Sequence, residues 1–198
     1  MTPAGATNEY ELWARAVEGD AGAFGEIFDL HRDRVFGHAL RALASRHDAE
    51  DVTAIAFLEL WRHRRRVRVV NGSIIGWLLV TANYTARNSS RTRRRYEEML
   101  RRIPLPGDTE DHADEVGARI DEEDRAATIR ESFSRLSKKD QDVITLCVLE
   151  EMSVAQAAQT LGVPQGTVKS RLSRARQKLA IETGAKQDEQ TILEGGAK

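Results

Sequence analysis

The chain has 198 residues, 31% of them charged and 6% aromatic, with a net charge of −1. That length allows one or two domains, and the composition is that of a helical, water-soluble protein. A single cysteine, Cys147, excludes an internal disulfide framework. Glu9, Glu11 and Arg15 interrupt the first apolar stretch, so no signal peptide is read and a cytoplasmic location is expected.

The elements are all expected to be helices. The first spans about Glu9 to Glu18 and stops at Gly19. Asp20 then caps a long helix with Phe24, Ile27, Phe28, Val35, Ala39 and Leu43 at helical spacing. After a break at Arg46-His47, Asp48 reads as the next cap, with Asp51 three residues on. That helix carries Val52, Ile55, Ala56, Phe57, Leu60 and Trp61 and ends in Arg62-His63-Arg64-Arg65-Arg66. A loop from Val67 to Gly72 follows. Ser73 caps a helix bearing Ile74, Trp77, Leu78 and Ala82, which grows steadily more basic toward Arg102. Its apolar run is far too short to span a bilayer.

The near-neutral total hides opposed blocks. Residues 62–102 hold twelve arginines against Glu97 and Glu98, a net of +10, whereas residues 104–134 net −7. Local field rather than total charge attracts a polyanion. Residues 104–125, with Pro104, Pro106, Gly107 and a string of acids, bury too little to fold alone and read as a flexible acidic linker. Two roles stay open for its acids: a solvated spacer, or a mask folded over the neighbouring basic surface.

Beyond the linker, Ile129, Phe133 and Leu136 mark one helix, and Ser137 caps another with Val143, Ile144, Cys147 and Val148. The lone thiol reads as a small hydrophobe. Ser153 to Leu172 then forms a helix-turn-helix. Ser153 and Gln156 make a capping box, Gly162 supplies the turn, and Pro164 stands where the second helix starts. Val168, Leu172, Ala175 and Leu179 share the inward stripe. Lys169, Arg171, Arg174, Arg176 and Lys178 follow with no acid between them, and Ser170 and Ser173 lie on the outer face. Short polar side chains flanked by long basic ones suit a helix entering a major groove. Residues 182–198 read as a disordered tail.

In their order along the chain, these runs resemble an RNA polymerase sigma factor of the extracytoplasmic-function (ECF) type. Asp48-Ala49-Glu50-Asp51-Val52 and Phe57-Leu58-Glu59-Leu60-Trp61-Arg62 are similar to the family's polymerase-binding helix. Trp77-Leu78-Leu79, Ala82 and Arg87-Asn88 are similar to its −10 promoter segment. Leu136 to Leu149 and Gly166 to Arg176 are similar to its −35 reader. The resemblance implies an all-α chain: sigma domain 2 over 1–103, the linker over 104–125, and sigma domain 4 over 126–181.

It also implies site roles, with no catalytic residue, no metal and no cofactor. Core polymerase, through its clamp, would meet Asp48, Glu50, Asp51, Ile55, Phe57, Leu58, Trp61 and Arg62. The −35 duplex would meet Gln165, Thr167, Lys169, Ser170, Arg171, Ser173, Arg174 and Arg176, with Lys169, Ser170, Ser173 and Arg174 facing bases and Arg171 and Arg176 holding phosphates. The −10 single strand would meet Arg66, Arg68, Asn71, Asn83, Tyr84, Arg87 and Asn88, a basic track with polar and stacking groups. For Tyr84, core packing and base stacking stay open; for Trp61 and Trp77 packing is preferred. Partners implied are core polymerase, promoter DNA and an anti-sigma factor, without membrane insertion. Two tethered modules would engage two promoter elements at once, each raising the effective concentration of the other.

Two positions depart from the family pattern. Ile55 stands where an acid is usual, and Tyr84 stands where Asn is usual, with Asn83 before it. A stand-alone helix-turn-helix regulator is the rival reading, but it would need a sensor or dimerisation domain in the Arg-rich N-terminal half. A nucleic-acid enzyme fits poorly: the five histidines have no HExxH-like spacing and there is no Gly-rich phosphate loop.

Overall fold

The computed structural model describes the backbone of residues 8–101 and 117–195, and the side chains of 8–89, 125–182 and 184. Helix α1 (Glu9–Val17) is capped by Asn8, and Gly19 turns the chain with φ +103°. Asp20 caps α2 (Ala21–Leu43), accepting from the Ala23 N–H at 3.0 Å while Arg15 holds its carboxylate at 2.6 Å. Ala44 then takes a left-handed φ of 53° and Ser45 caps α3 (Arg46–His63), accepting from the Asp48 N–H at 3.3 Å. The expected cap at Asp48 is thereby corrected. With Ala44 turned left-handed, the Ser45 hydroxyl is the first acceptor to reach an orphan N–H, and Asp48 joins the first turn, where the helix dipole favours its charge.

A 3-10 turn (Arg64–Arg66) leads to Val70 and Ser73, which exchange N–H···O bonds of 3.0 and 3.1 Å across Asn71-Gly72. Both central residues have positive φ, 54° and 74°, the geometry that an Asn-Gly pair adopts in a type I′ turn. The expected loop is therefore partly a tight hairpin turn. Helix α4 (Ile75–Arg101) follows. Ser73 Oγ accepts from the Ile75 N–H at 3.1 Å, and Glu9 reaches across from α1 to accept from the Ile74 N–H at 2.8 Å. His31 Nε2–H donates to the same Glu9 oxygen at 2.9 Å. Burial opposes ionisation of Glu9, yet these bonds outweigh it and hold its pKa below the ordinary value. Ile75, Leu78, Leu79, Ala82 and Ala86 face the first core, which α1, α2 and α3 complete with Trp13, Ile27, Val35, Val52 and Leu60.

The second module contains α5 (Gly117–Arg135), α6 (Lys138–Ile144, capped by Ser137), a wide π-type turn (Thr145–Leu149), α7 (Val154–Leu161) and α8 (Gln165–Gly195). Val143, Leu146, Ala157, Ala158 and Val168 form its core. Two sequence expectations change here. Helix α5 begins inside the stretch read as linker, and α8 continues through most of the stretch read as a disordered tail. The α5 extension holds Ala118, Arg119, Glu122 and Glu123, and the α8 extension holds Glu182, Ala185, Lys186, Gln187, Glu189 and Gln190, all strong helix formers, and they prolong helices already nucleated by packing. Residues 104–116 of the expected linker, with many of the acids of the supposed mask, lie outside the described residues.

The modules are not held apart. A second stripe of α4, formed by Gly76, Val80, Asn83 and Arg87 at i, i+4, i+7 and i+11, faces the C-terminal module. Val80 packs into the second core, and Met152 packs against both cores. A Cβ at Gly76 would stand 3.0 Å from Met152 Cε and 3.1 Å from Thr160 Cγ2, so α7 approaches as closely as a glycine permits. Arg34 pairs with Glu150 across the seam, and Arg130 Nε donates to the Arg41 carbonyl at 3.1 Å.

Candidate nucleic-acid interface

The helix-turn-helix is built locally. Ser153 N–H donates to Gln156 Oε1 at 2.8 Å and Gln156 N–H to Ser153 Oγ at 3.2 Å, closing the capping box. Gly162 ends α7 with φ 65°, and the Val163 N–H returns to the Ala158 carbonyl at 3.1 Å. Small Ala157 and Ala158 let α8 come close, and Val168 and Ala175 are fully buried beneath it. The opposite face is open. Gln165, Lys169, Ser170, Ser173, Arg174 and Arg176 are exposed, while Thr167 and Arg171 are half-buried. Ser170 Oγ donates to the Thr167 carbonyl at 3.0 Å. From Gln165 to Ile181 the helix has no acid, so it presents one sign of charge to solvent.

The residues expected at a −10 strand are divided. Arg66 and Arg68 are exposed, and Asn71 is exposed at the tip of the hairpin turn. Arg87 is exposed with Nη1 donating to the Leu136 carbonyl at 3.4 Å, and Asn88 is exposed beside it. Tyr84 is 49% exposed, but Lys138 Nζ lies 3.5 Å from its ring centroid, a cation–π contact from α6. Asn83 is only 4% exposed. His38 Nε2–H donates to its Oδ1 at 2.8 Å, and its Nδ2 donates to Thr145 Oγ1 at 3.0 Å and Asp142 Oδ1 at 3.4 Å. In this arrangement Asn83 is therefore a buried bridge between the modules. Burial keeps His38 below its ordinary pKa, hence neutral. Burial also pushes Asp142 up to about 6, against the opposing pull of Asn83, Lys138, Arg171 and Arg87.

Residues expected at the polymerase share α3. Asp51, Ala54, Ile55, Leu58 and Arg62 form an exposed stripe, with Ile55 43% and Leu58 50% exposed. Glu50 is also exposed, Asp48 half-buried, and Arg62 pairs with Glu59 at 3.0 Å. Phe57 is buried and meets Phe28 edge-on at 4.7 Å, so it supports this helix from within. Trp61 is half-buried, edge-on to Phe24 at 4.9 Å and under the Arg64 guanidinium at 4.2 Å. A cleft of about 1070 Å³ runs from Ile55 and Glu59 past Trp77 and Tyr84 to Lys138.

The sequence reading missed His38, Thr145, Asp142 and Glu9, because their partners are 22 to 65 residues away in sequence. Gly76 did carry a signal: a glycine inside an apolar helix marks a close approach.

Residues 27–96 match the family model for Sigma-70 region 2 and residues 126–179 that for Sigma-70, region 4. Together they define a two-module protein of the sigma class. The ECF RNA polymerase sigma factor SigE of Mycolicibacterium smegmatis is 31% identical over 156 residues, 78% of this chain and 59% of that protein. The ECF RNA polymerase sigma factor BldN of Streptomyces coelicolor is 29% identical over 175 residues, 86% of this chain and 64% of that protein. The chain thus spans about three fifths of the length of these two relatives. The fold is similar to that of CnrH, solved in complex with the cytosolic domain of CnrY, with a TM-score of 0.59, 22% identity and coverage of 90% of this chain and 99% of that one. This chain belongs to the ECF RNA polymerase sigma factors. That family is not a class of enzymes, and its region 2 module in the N-terminal half disfavours a stand-alone regulator. Among the described residues no helix is long and apolar enough to cross a membrane.

Proposed function

We propose that this chain confers promoter choice on core RNA polymerase in the cytoplasm. The exposed Ile55–Leu58 stripe of α3 docks on the polymerase clamp, α8 enters the major groove of the −35 duplex, and α4 with the Asn71 turn takes the −10 single strand. The observation that carries this reading is the pairing of the acid-free stretch Gln165 to Ile181 of α8 with a second arginine-bearing face on a separate module. The chain supplies recognition and the polymerase supplies the chemistry, so no catalytic residue or cofactor is assigned. Family membership adds an anti-sigma factor to the partners.

Transcription in vitro with core polymerase on a promoter library tests it. Enrichment of a two-part motif that depends on this chain is the expected result. Transcription that is indifferent to the chain, together with failure to co-purify with core polymerase, would overturn it.

A further inference from the structure

We propose that α1 is a frame that sets the shape of the loop from Arg64 to Ile74. Glu9 is its principal positioning residue, holding the Asn71 turn in the form that meets the −10 single strand. The role of that turn rests on the promoter reading, whereas the frame itself stands on geometry. Helix α1 lies outside the stretch matched by the region 2 model, residues 27–96, yet it grips the loop at both ends. At the entry, Arg64 Nε donates to the Val17 carbonyl at 3.3 Å and Nη1 to the Trp61 carbonyl at 2.8 Å. At the exit, Glu9 Oε1 accepts from the Ile74 N–H at 2.8 Å. Leu12, Trp13 and Ala16 bury α1 in the first core, so both grips are made from a fixed support.

The exit grip is more than a helix cap. The first N–H groups of a helix need acceptors, and a nearby Ser, Thr, Asp or Asn ordinarily supplies one. Ser73 does so for the Ile75 N–H. The Ile74 N–H instead takes its acceptor from another helix, a carboxylate whose side chain is only 16% exposed. A carboxylate drawn that far from water is costly unless it is paired, and buried His31 pairs it from α2 at 2.9 Å. Helices α1 and α2 and the start of α4 thus meet on one oxygen. In the loop, Val67 and Val70 are buried, whereas Arg66, Arg68 and Asn71 are exposed. Asn71 has φ 54°, a region that side-chain-bearing residues rarely adopt, and the Val70–Ser73 exchange keeps it there directly before Ile74. Asn71, Ser73, Glu9 and His31 line one cleft of about 420 Å³, so a displaced carboxylate is felt at the turn. A recognition loop already held in its bound shape spares the cost of ordering on binding.

Amide hydrogen exchange and promoter-library selection with core polymerase, both on the full chain, test the frame. Glu9→Ala should speed exchange over residues 70–75 by about tenfold or more, with peptides from the middle of α2 and α3 unchanged. The same variant should lose about threefold to tenfold in discrimination at one −10 position, because the competent form of the turn is less populated. Its −35 preference and its co-purification with core polymerase should stay as in the wild type. Glu9→Gln, which keeps the accepting oxygen, should fall between wild type and Glu9→Ala in both readouts. Arg64→Met loosens the entry end while keeping a side chain over Trp61, and should give the same selective loss; it carries the test if Glu9→Ala fails to fold. Unchanged exchange at the turn in these variants would remove the frame. Faster exchange with the −10 preference intact, or losses spread equally over the −10 and −35 positions, would reduce Glu9 to a structural support and overturn its positioning role. A wild-type chain that enriches no two-part motif would instead strike the promoter reading alone, since the exchange rates still report the frame.

Discussion

Helices α4 and α8 both carry small polar side chains beside arginines, yet one such face meets water and the other meets protein. On α8 a single apolar stripe, Val168, Leu172 and Ala175, turns inward and leaves Lys169, Ser170, Ser173, Arg174 and Arg176 exposed. On α4 two stripes are spoken for. Ile75, Leu78, Leu79 and Ala82 fill the first core, while Gly76, Val80 and Asn83 are taken by the second module. The contrast shows that a basic helix face is open or closed according to how many of its sides are packable. A glycine and a valine on the supposedly polar side of α4 make the difference.

The largest expected effect exploits the closed side. Asp142 has a pKa raised by burial to about 6 in the packed arrangement, from an ordinary 3.8. An ionised Asp142 therefore penalises the packed arrangement by up to roughly 3 kcal/mol relative to a fully hydrated carboxylate, at about 1.4 kcal/mol per pKa unit. The packed form binds the extra proton, so packing is unpenalised below pH 3.8, weakens as pH rises through the window, and carries the full penalty above about 6. Glu150, also raised by burial, acts in the same direction. Between about pH 5 and about pH 7 the packing of the two modules should weaken by up to about tenfold, read by the yield of an engineered 76–160 cross-link (Gly76→Cys with Thr160→Cys, where a Cβ at Gly76 would lie 3.1 Å from Thr160 Cγ2) after rate correction for thiolate content. Asp142→Asn keeps an acceptor for Asn83 and should leave most of that slope gone. A slope unchanged in Asp142→Asn would mean that another group governs the seam.

The open side is probed by Arg174→Ala. If Arg174 reads a base edge, its loss should cost about 1–3 kcal/mol of discrimination at one −35 position, with core-polymerase affinity unchanged. Promoter-library selection reads this directly. Equal losses on every promoter would make Arg174 a phosphate anchor, and the α8 face would then position the duplex rather than read it. A smaller effect is expected from Glu9→Gln, which keeps the cap on α4 but removes its charge. A hydrogen bond to a charged group is worth about 1.5–3 kcal/mol and a neutral one about 1 kcal/mol, so the chain should lose about 1 kcal/mol near neutrality. Because the folded-state pKa of Glu9 is depressed, that contribution is present above the unfolded value and fades as pH falls through the folded one. Wild type and variant should therefore converge in acid, as measured by chemical denaturation.

What is readable in the sequence follows the range of the interactions. Caps and turns lie within three or four residues of their targets, and Asp20, Ser137, Ser153 and Gly162 all act where local pattern puts them. The inward stripe of α8 is equally plain, because helical period alone defines it. The α3 cap is ambiguous since Ser45 and Asp48 are both good caps, and only the left-handed turn at Ala44 decides between them. The fate of Asn83 is out of reach. Its polar side chain in a basic helix fits a nucleic-acid contact as well as a buried bridge, and the choice depends on Thr145, 62 residues downstream. Tertiary packing, not propensity, assigns such residues.

Ser153→Ala asks whether the two faces share a support. Helix α7 touches both: Ala157 and Ala158 pack with Val168 of α8, and Thr160 lies against Gly76 of α4. Removing the Ser153 hydroxyl breaks one half of the capping box and frees the Gln156 N–H, a loss of about 1 kcal/mol in the second module. Fraying at the start of α7 should soften its far end little, since Thr160 sits in the last turn and the Gly162 turn holds it. The expected outcome is a lower denaturation midpoint, with the rate of the engineered 76–160 cross-link nearly unchanged and duplex binding only slightly weaker. A large fall in cross-linking with no change in stability would show that α7 moves as a rigid lever, so that the open and the closed face are tuned by one helix rather than two.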